Sequence, residues 1–146
     1  MYKKIALMTF SLMASSVSYA GTAIIPDFYT LEQVGQTCIK ISNVSGEPAQ
    51  VSVRIYGKNG ENFNGTFVPW NIIPSLNTPF TLEPRKTAHF CLRDAQKITP
   101  GYGVIDSQPL DGSTGQVFVV ASGYYGSASK DYSMGFLIPI NGGLPF

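Results

Sequence analysis

Charge is scarce in this sequence. Of its 146 residues, 10 are Lys or Arg and 9 are Asp or Glu. So little charge cannot hold a chain open by self-repulsion, and 44% hydrophobic residues make it apolar enough to collapse, which argues against charge-driven disorder. No Lys/Arg cluster occurs beyond the first four residues, so nucleic-acid binding through a basic surface is disfavoured. Strong helix formers are sparse while Gly and Pro number 15 and 10, which speaks against a coiled coil or a helical bundle. No segment repeats at a fixed period, so a solenoid is out. The length suits one domain and leaves little room for two.

What is present begins with an address. Lys3 and Lys4 precede an apolar run, Ile5 to Met13, broken only by Thr9 and Ser11. The small, polar stretch Ser15 to Ala20 follows, and Ser18 and Ala20 fit a signal-peptidase site cutting after Ala20. The run falls short of the ~20 residues a bilayer span requires, and no Cys follows it to make a lipoprotein. Residues 1–20 are therefore expected to be a signal peptide, residues 21–146 the mature domain, and the location periplasmic or secreted. Without Lys3 and Lys4 the mature chain holds eight basic against nine acidic side chains, a balance that suggests neither electrostatic steering nor binding to anionic lipid. It holds no transmembrane segment.

Cys38 and Cys91 are the only cysteines. In an exported chain an even pair is expected to form a disulfide, and two distant Cys with the lone His89 supply too few ligands for a structural zinc site. Alternation places Ile39 and Ile41 on one strand face and Cys38, Lys40 and Ser42 on the other. Likewise Phe90 and Leu92 oppose His89, Cys91 and Arg93. The bond is thus expected to staple neighbouring strands from the polar side.

The rest reads as short strands between turns. Thr37–Asn43, Gln50–Tyr56, Phe80–Glu83 and Thr87–Arg93 show strand chemistry, and Gln116–Tyr125 is apolar on both faces, as a central strand is. Asn62–Val68 is expected to return in a hairpin through Lys58-Asn59-Gly60, and Tyr132–Ile140 to close the series. Residues 69–79 contain three prolines and read as a long loop, Asp94 to Gly103 as another, followed by a short apolar piece at Val104-Ile105. The best helical candidate is Tyr29–Val34, and the tail 141–146 is expected to be loose. Seven or eight such strands with little helix predict an all-β, immunoglobulin-like antiparallel β-sandwich with one disulfide.

Three segments carry a resemblance: Ile41-Ser42-Asn43-Val44-Ser45, Val51 to Gly60, and Leu82-Glu83-Pro84-Arg85-Lys86-Thr87-Ala88. An Asn-containing turn, a valine-alternating hairpin ending near Tyr56 and Gly60, and a Leu-x-Pro-x-x-Thr corner together resemble bacterial secreted immunoglobulin-like domains over about residues 37–93. The resemblance implies a non-catalytic extracytoplasmic sandwich and transfers no functional residue.

Chemistry is thinly represented. His89 is the only imidazole, no Gly-x-Ser-x-Gly elbow exists, and Asp27, Asp94, Asp106 and Asp111 occupy the turn and strand-end positions that Asp favours. A small hydrolase built on His89 therefore ranks last, and no catalytic residue, metal or cofactor is expected. Asp106 to Gly112 is a poor calcium loop. Asn43-Val44-Ser45 and Asn64-Gly65-Thr66 are formal glycosylation sequons. An outer-membrane barrel, prompted by Phe146, fails on strand number and length.

The aromatic residues stand out more. Trp70, Ile72, Ile73 and Leu76 place several large apolar groups in one segment, and Tyr124, Tyr125 and Tyr102 can add ring faces. Either this segment lids the core or it forms an exposed contact patch. The expected function is a non-enzymatic module that binds or assembles in the envelope or outside the cell, with another envelope or extracellular protein, or a glycan, as partner. The alternative is a carbohydrate-binding domain that uses the same aromatics.

Overall fold

Alternation sets the architecture. In Gln50–Tyr56, Val51, Val53 and Ile55 are buried while Ser52, Arg54 and Tyr56 keep partial exposure, the period-two burial of a strand with one face on a core. The computed structural model describes residues 20–31, 35–94, 97–113, 115–127 and 135–146. Among these it holds nine strands, no α-helix and a 3-10 turn at Asn141–Gly143. The strands are β1 (Gly21–Thr30), β2 (Gly35–Asn43), β3 (Ala49–Gly57), β4 (Thr66–Asn71), β5 (Phe80–Leu82), β6 (Thr87–Arg93), β7 (Thr99–Pro109), β8 (Val119–Ser127) and β9 (Phe136–Pro139).

They form two antiparallel sheets, one in the order β1-β7-β3-β5 and the other β4-β6-β2-β8-β9. Side chains from both sheets, among them Phe28, Ile39, Ile41, Val53, Leu82, Phe90, Leu92 and Ile105, are fully buried in one core. The all-β fold and the Cys38–Cys91 disulfide are as expected. The pairings β2–β6 and β3–β7 are consistent with an immunoglobulin-like sandwich, matching its B–E and C–F pairs. The flanking strands differ from that pattern, because β1 lies beside β7 and β8 lies beside β2.

Several expectations are corrected. Tyr29 and Thr30 belong to a ten-residue strand, not a helix, because Ala23, Ile25 and Phe28 of β1 have a core to enter. Residues 32–34 lie outside the described residues. Residues 94–103 are not all loop: β7 begins at Thr99 and runs for 11 residues, its Gly101 and Gly103 allowing Phe28, Ile25 and Ile55 to pack against bare backbone. The Asn-Gly turn does not return a hairpin strand. After an isolated bridge from Tyr56 to Asn62 the chain crosses to the other sheet, where β4 pairs with β6. The tail is tied down: Phe146 exchanges two backbone hydrogen bonds with Val119, at 2.9 and 3.0 Å, and its ring packs against the core. Of the expected last strand, Tyr132–Ile140, residues 132–134 lie outside the described residues, and β9 covers Phe136–Pro139.

The Asn-containing turn has a physical reason. Asn43, buried at the end of β2, donates from Nδ2 to the Glu47 and Leu82 carbonyls at 2.8 Å each, while its Oδ1 accepts from the backbone N–H and hydroxyl of Ser45. One amide thereby closes its own turn and ties it to β5 on the opposite sheet. Both amide hydrogens are spent, so the first sequon offers no free acceptor nitrogen in the folded chain. Asn43→Ala strands two carbonyls and is expected to cost about 2–3 kcal/mol, read from urea midpoints, whereas Asn64→Ala on the exposed second sequon is expected to cost little.

Candidate functional site

The outer face of the five-stranded sheet is assembled by cross-strand register. Val68, Cys91, Cys38, Tyr124 and Leu137 form one row across β4, β6, β2, β8 and β9. His89, Lys40, Ser122 and Pro139 form the next row. The cysteines do sit on the face opposite Ile39 and Ile41, directly paired with Cα atoms 4.0 Å apart. That face is not simply polar at this point: both cysteines are fully buried within it. The two sulfurs and a His89 ring nitrogen lie within 4.8 Å of one another, but both sulfurs are spent in the disulfide, leaving His89 as the sole available ligand of the three.

Trp70 stands beside this row. Residues 69–71 belong to β4 rather than to a loop, and the β4–β6 register slips between Pro69 and Asn71. Asn71 holds the bulge together: its Oδ1 accepts the His89 N–H at 2.8 Å and its Nδ2 donates to the Thr87 carbonyl at 3.1 Å. Ile72 then adopts φ 61°, a left-handed backbone that a β-branched residue rarely takes, in a three-residue turn closed by the Ile73 N–H on the Asn71 carbonyl. Past this reversal Ile73 is buried and Leu76 packs against the core, while Trp70 and Ile72 stay on the surface.

The segment is thus neither all lid nor all patch. Ile73 and Leu76 line the core, whereas Trp70, 62% exposed, stacks on His89 with ring centroids 5.4 Å apart. His89 neighbours Tyr124 at 6.2 Å, and the Lys40 ammonium lies 5.7 Å from the Tyr124 ring centre, within cation–π reach. Tyr125 departs from the expected patch. It projects to the opposite face of β8 and meets Tyr29 at 6.0 Å. Register adds Leu137 instead, which is 85% exposed beside Tyr124. Of the residues expected in the patch, the structure brings Trp70 and Tyr124 together through His89, keeps Ile72 at the margin, and directs Ile73, Leu76, Tyr125 and Tyr102 elsewhere.

His89, Lys40 and Leu137 were not expected in the site. Alternation had already put His89 and Lys40 on the face of the cysteines; the missing step was to read Trp70 as a strand residue.

No protein-family model, curated protein or solved structure matches this chain. The site must speak through its own chemistry.

Burial, and after it the nearby Lys40 ammonium, lower the pKa of His89 below its ordinary 6.5. The folded chain therefore resists protonating a ring that the unfolded chain protonates freely. Stability from this source is complete above pH 6.5 and is lost as pH falls from there through the folded value. A lower melting temperature at pH 5.5 than at pH 7.5 is expected, with the difference reduced in His89→Gln. An unchanged pH dependence in that variant would remove His89 as its source.

Proposed function

We propose that this chain is an exported, non-enzymatic β-sandwich module that acts by binding or assembly in the cell envelope or outside the cell, through the outer face of its five-stranded sheet. The observation that carries the reading is Trp70: a large ring, 62% exposed, with one face supported by His89 and the other open to solvent. An aromatic held this way loses little conformational entropy on binding, and Trp and Tyr dominate the energetics of contact surfaces. One end of the other sheet's outer face is of different character, with Thr22, Ser52 and Asp106 in one row, Gln50 and Gln108 in the next, and the Arg54–Asp106 ion pair, while Ile24 and a stacked Tyr56–Tyr102 pair lie farther along it. Export is supported by the leader-like residues 1–20, of which 1–19 lie outside the described residues, and by a disulfide suited to an oxidising compartment.

A protein partner is favoured over a glycan. Sugar recognition needs polar groups around the ring to read hydroxyls, and those nearest Trp70 are partly engaged within the chain, Asn71 with Thr87 and His89, and the Tyr124 hydroxyl with His89 Nε2. Leu137 extends the surface with aliphatic area instead.

Cross-linking on producing cells tests this. A specific partner band is expected, lost in Trp70→Ala and retained in Gln108→Ala on the other sheet, with intact mass showing that residues 1–20 have been removed. A band indifferent to Trp70→Ala contradicts the assigned surface. A saturable shift of Trp70 fluorescence with a soluble glycan, in a folded sample, transfers the same face to sugar binding.

A further inference from the structure

Edge strands leave backbone donors and acceptors unpaired, and folded chains blunt them with proline, bulges, charge or brevity. Three of the four edges here are blunted or apolar only inward. On β1, Pro26 has no N–H and the register breaks between Ile25 and Phe28. Tyr29 is also capped there, its N–H donating to the Thr37 hydroxyl at 3.0 Å while that hydroxyl donates to the Tyr29 carbonyl at 2.8 Å. β4 carries Pro69 and its own bulge. β5 is three residues long with Phe80 and Leu82 buried.

β9 differs. It is short and ends at Pro139, yet Gly135 to Ile140 hold no charge, and Phe136 and Leu137 are 68% and 85% exposed on opposite faces of the strand. Its one strand partner is β8, and no backbone hydrogen bond reaches its far edge among the described residues. Beside it runs a groove of about 340 Å³ lined by Pro26, Asp27 and Tyr29 of β1 on one side and Phe136 and Ile138 of β9 on the other. Asp27 at this groove has no ion pair or side-chain hydrogen bond among the described residues.

We infer that β9 is a strand-addition site: an extended segment of another polypeptide pairs with its free edge as a sixth strand of the larger sheet. The backbone ladder supplies affinity, and alternate side chains supply specificity. Small apolar residues of the incoming strand fill the groove beside Phe136, and a Lys or Arg pairs with the exposed carboxylate of Asp27. A second copy of this chain fits less well, because its own β9 brings no cation to Asp27. The groove side of β9, with Phe136 and Ile138, lies opposite Leu137 and the Trp70 face, so this inference does not depend on the reading given to that ring.

The test uses the oxidised protein and a capped hexapeptide that alternates Val and Thr with one Lys, followed by amide NMR. Saturable shifts at Phe136, Leu137 and Ile138, with slowed amide exchange there, are expected, and Trp70→Ala leaves them unchanged. Phe136→Lys, at a largely exposed site on the groove side of β9, abolishes them. Asp27→Asn weakens the Lys peptide roughly two- to fivefold and leaves its Lys-to-Thr analogue unaffected. A peptide N-methylated at alternate residues does not bind. The inference is overturned by no saturable shift at millimolar peptide, by shifts confined to the Trp70 face, by equal binding of the N-methylated peptide, or by concentration-dependent shifts at β9 without peptide, which assign the edge to a second copy.

Discussion

Removing the disulfide, by Cys38→Ala with Cys91→Ala, is expected to lower the melting temperature by about 10 °C. The bond closes a loop between residues 53 apart in sequence, for which the chain-entropy relation gives roughly 4 kcal/mol. A domain of this size shifts by several degrees per kcal/mol, so even half of that value is readily measured. The bond also joins the two central strand neighbours β2 and β6 beneath the exposed aromatic row. Its loss should therefore raise the exposure of Trp70 to quenchers before the chain unfolds. Melting of the oxidised and reduced proteins at the same temperature would show that the two sulfurs contribute nothing to stability.

Phe28→Ala is expected to be comparably damaging, at about 3–5 kcal/mol, the range for emptying a buried aromatic site. Phe28 is fully buried, meets Phe63 edge-on at 5.4 Å, and covers Gly101, where a Cβ would overlap both the Phe28 ring and the Tyr56 carbonyl. Ile24, half exposed on the other face of the same strand, is the control, and Ile24→Ala should change stability by about 0.5 kcal/mol or less. Equal effects of the two substitutions, compared by urea midpoint, would contradict a β1 integrated into the core.

The contrast between these two strand faces shows what could be read in advance. Strands with strict alternation, such as β3 with Val51, Val53 and Ile55, were legible because the pattern and the burial are the same physical fact. The opposed faces of Ile39 and Cys38 were legible for that reason too. β1 was not, because Pro26 and Asp27 interrupt its alternation, and the bulge that absorbs them is a matter of pairing with β7, which no local pattern contains. β7 was hidden by Pro100, Gly101 and Gly103, residues that signal a loop but here make room for side chains from neighbouring strands.

The candidate site was half legible. Trp70 and Tyr124 could be picked out as large rings, but their meeting through His89 depends on β4 crossing to the other sheet and pairing with β6. Pro69 and Pro74 on either side of Ile72 made that stretch look like irregular chain. Tyr125 was assigned with Tyr124 by adjacency, although neighbours in a strand point to opposite faces. Leu137 entered only through the β8–β9 register.

Hydroxyl-radical footprinting of Trp70, the single tryptophan, tests the central claim most directly. The purified protein and the protein in its producing cells are compared, with Tyr102 on the other sheet, 40% exposed, as the internal reference. Trp70 should oxidise readily in the purified chain and be protected several-fold in the cells, while Tyr102 changes little. Equal oxidation of Trp70 in both settings would mean that nothing covers this face where the protein works, and the binding surface assigned to it would be wrong.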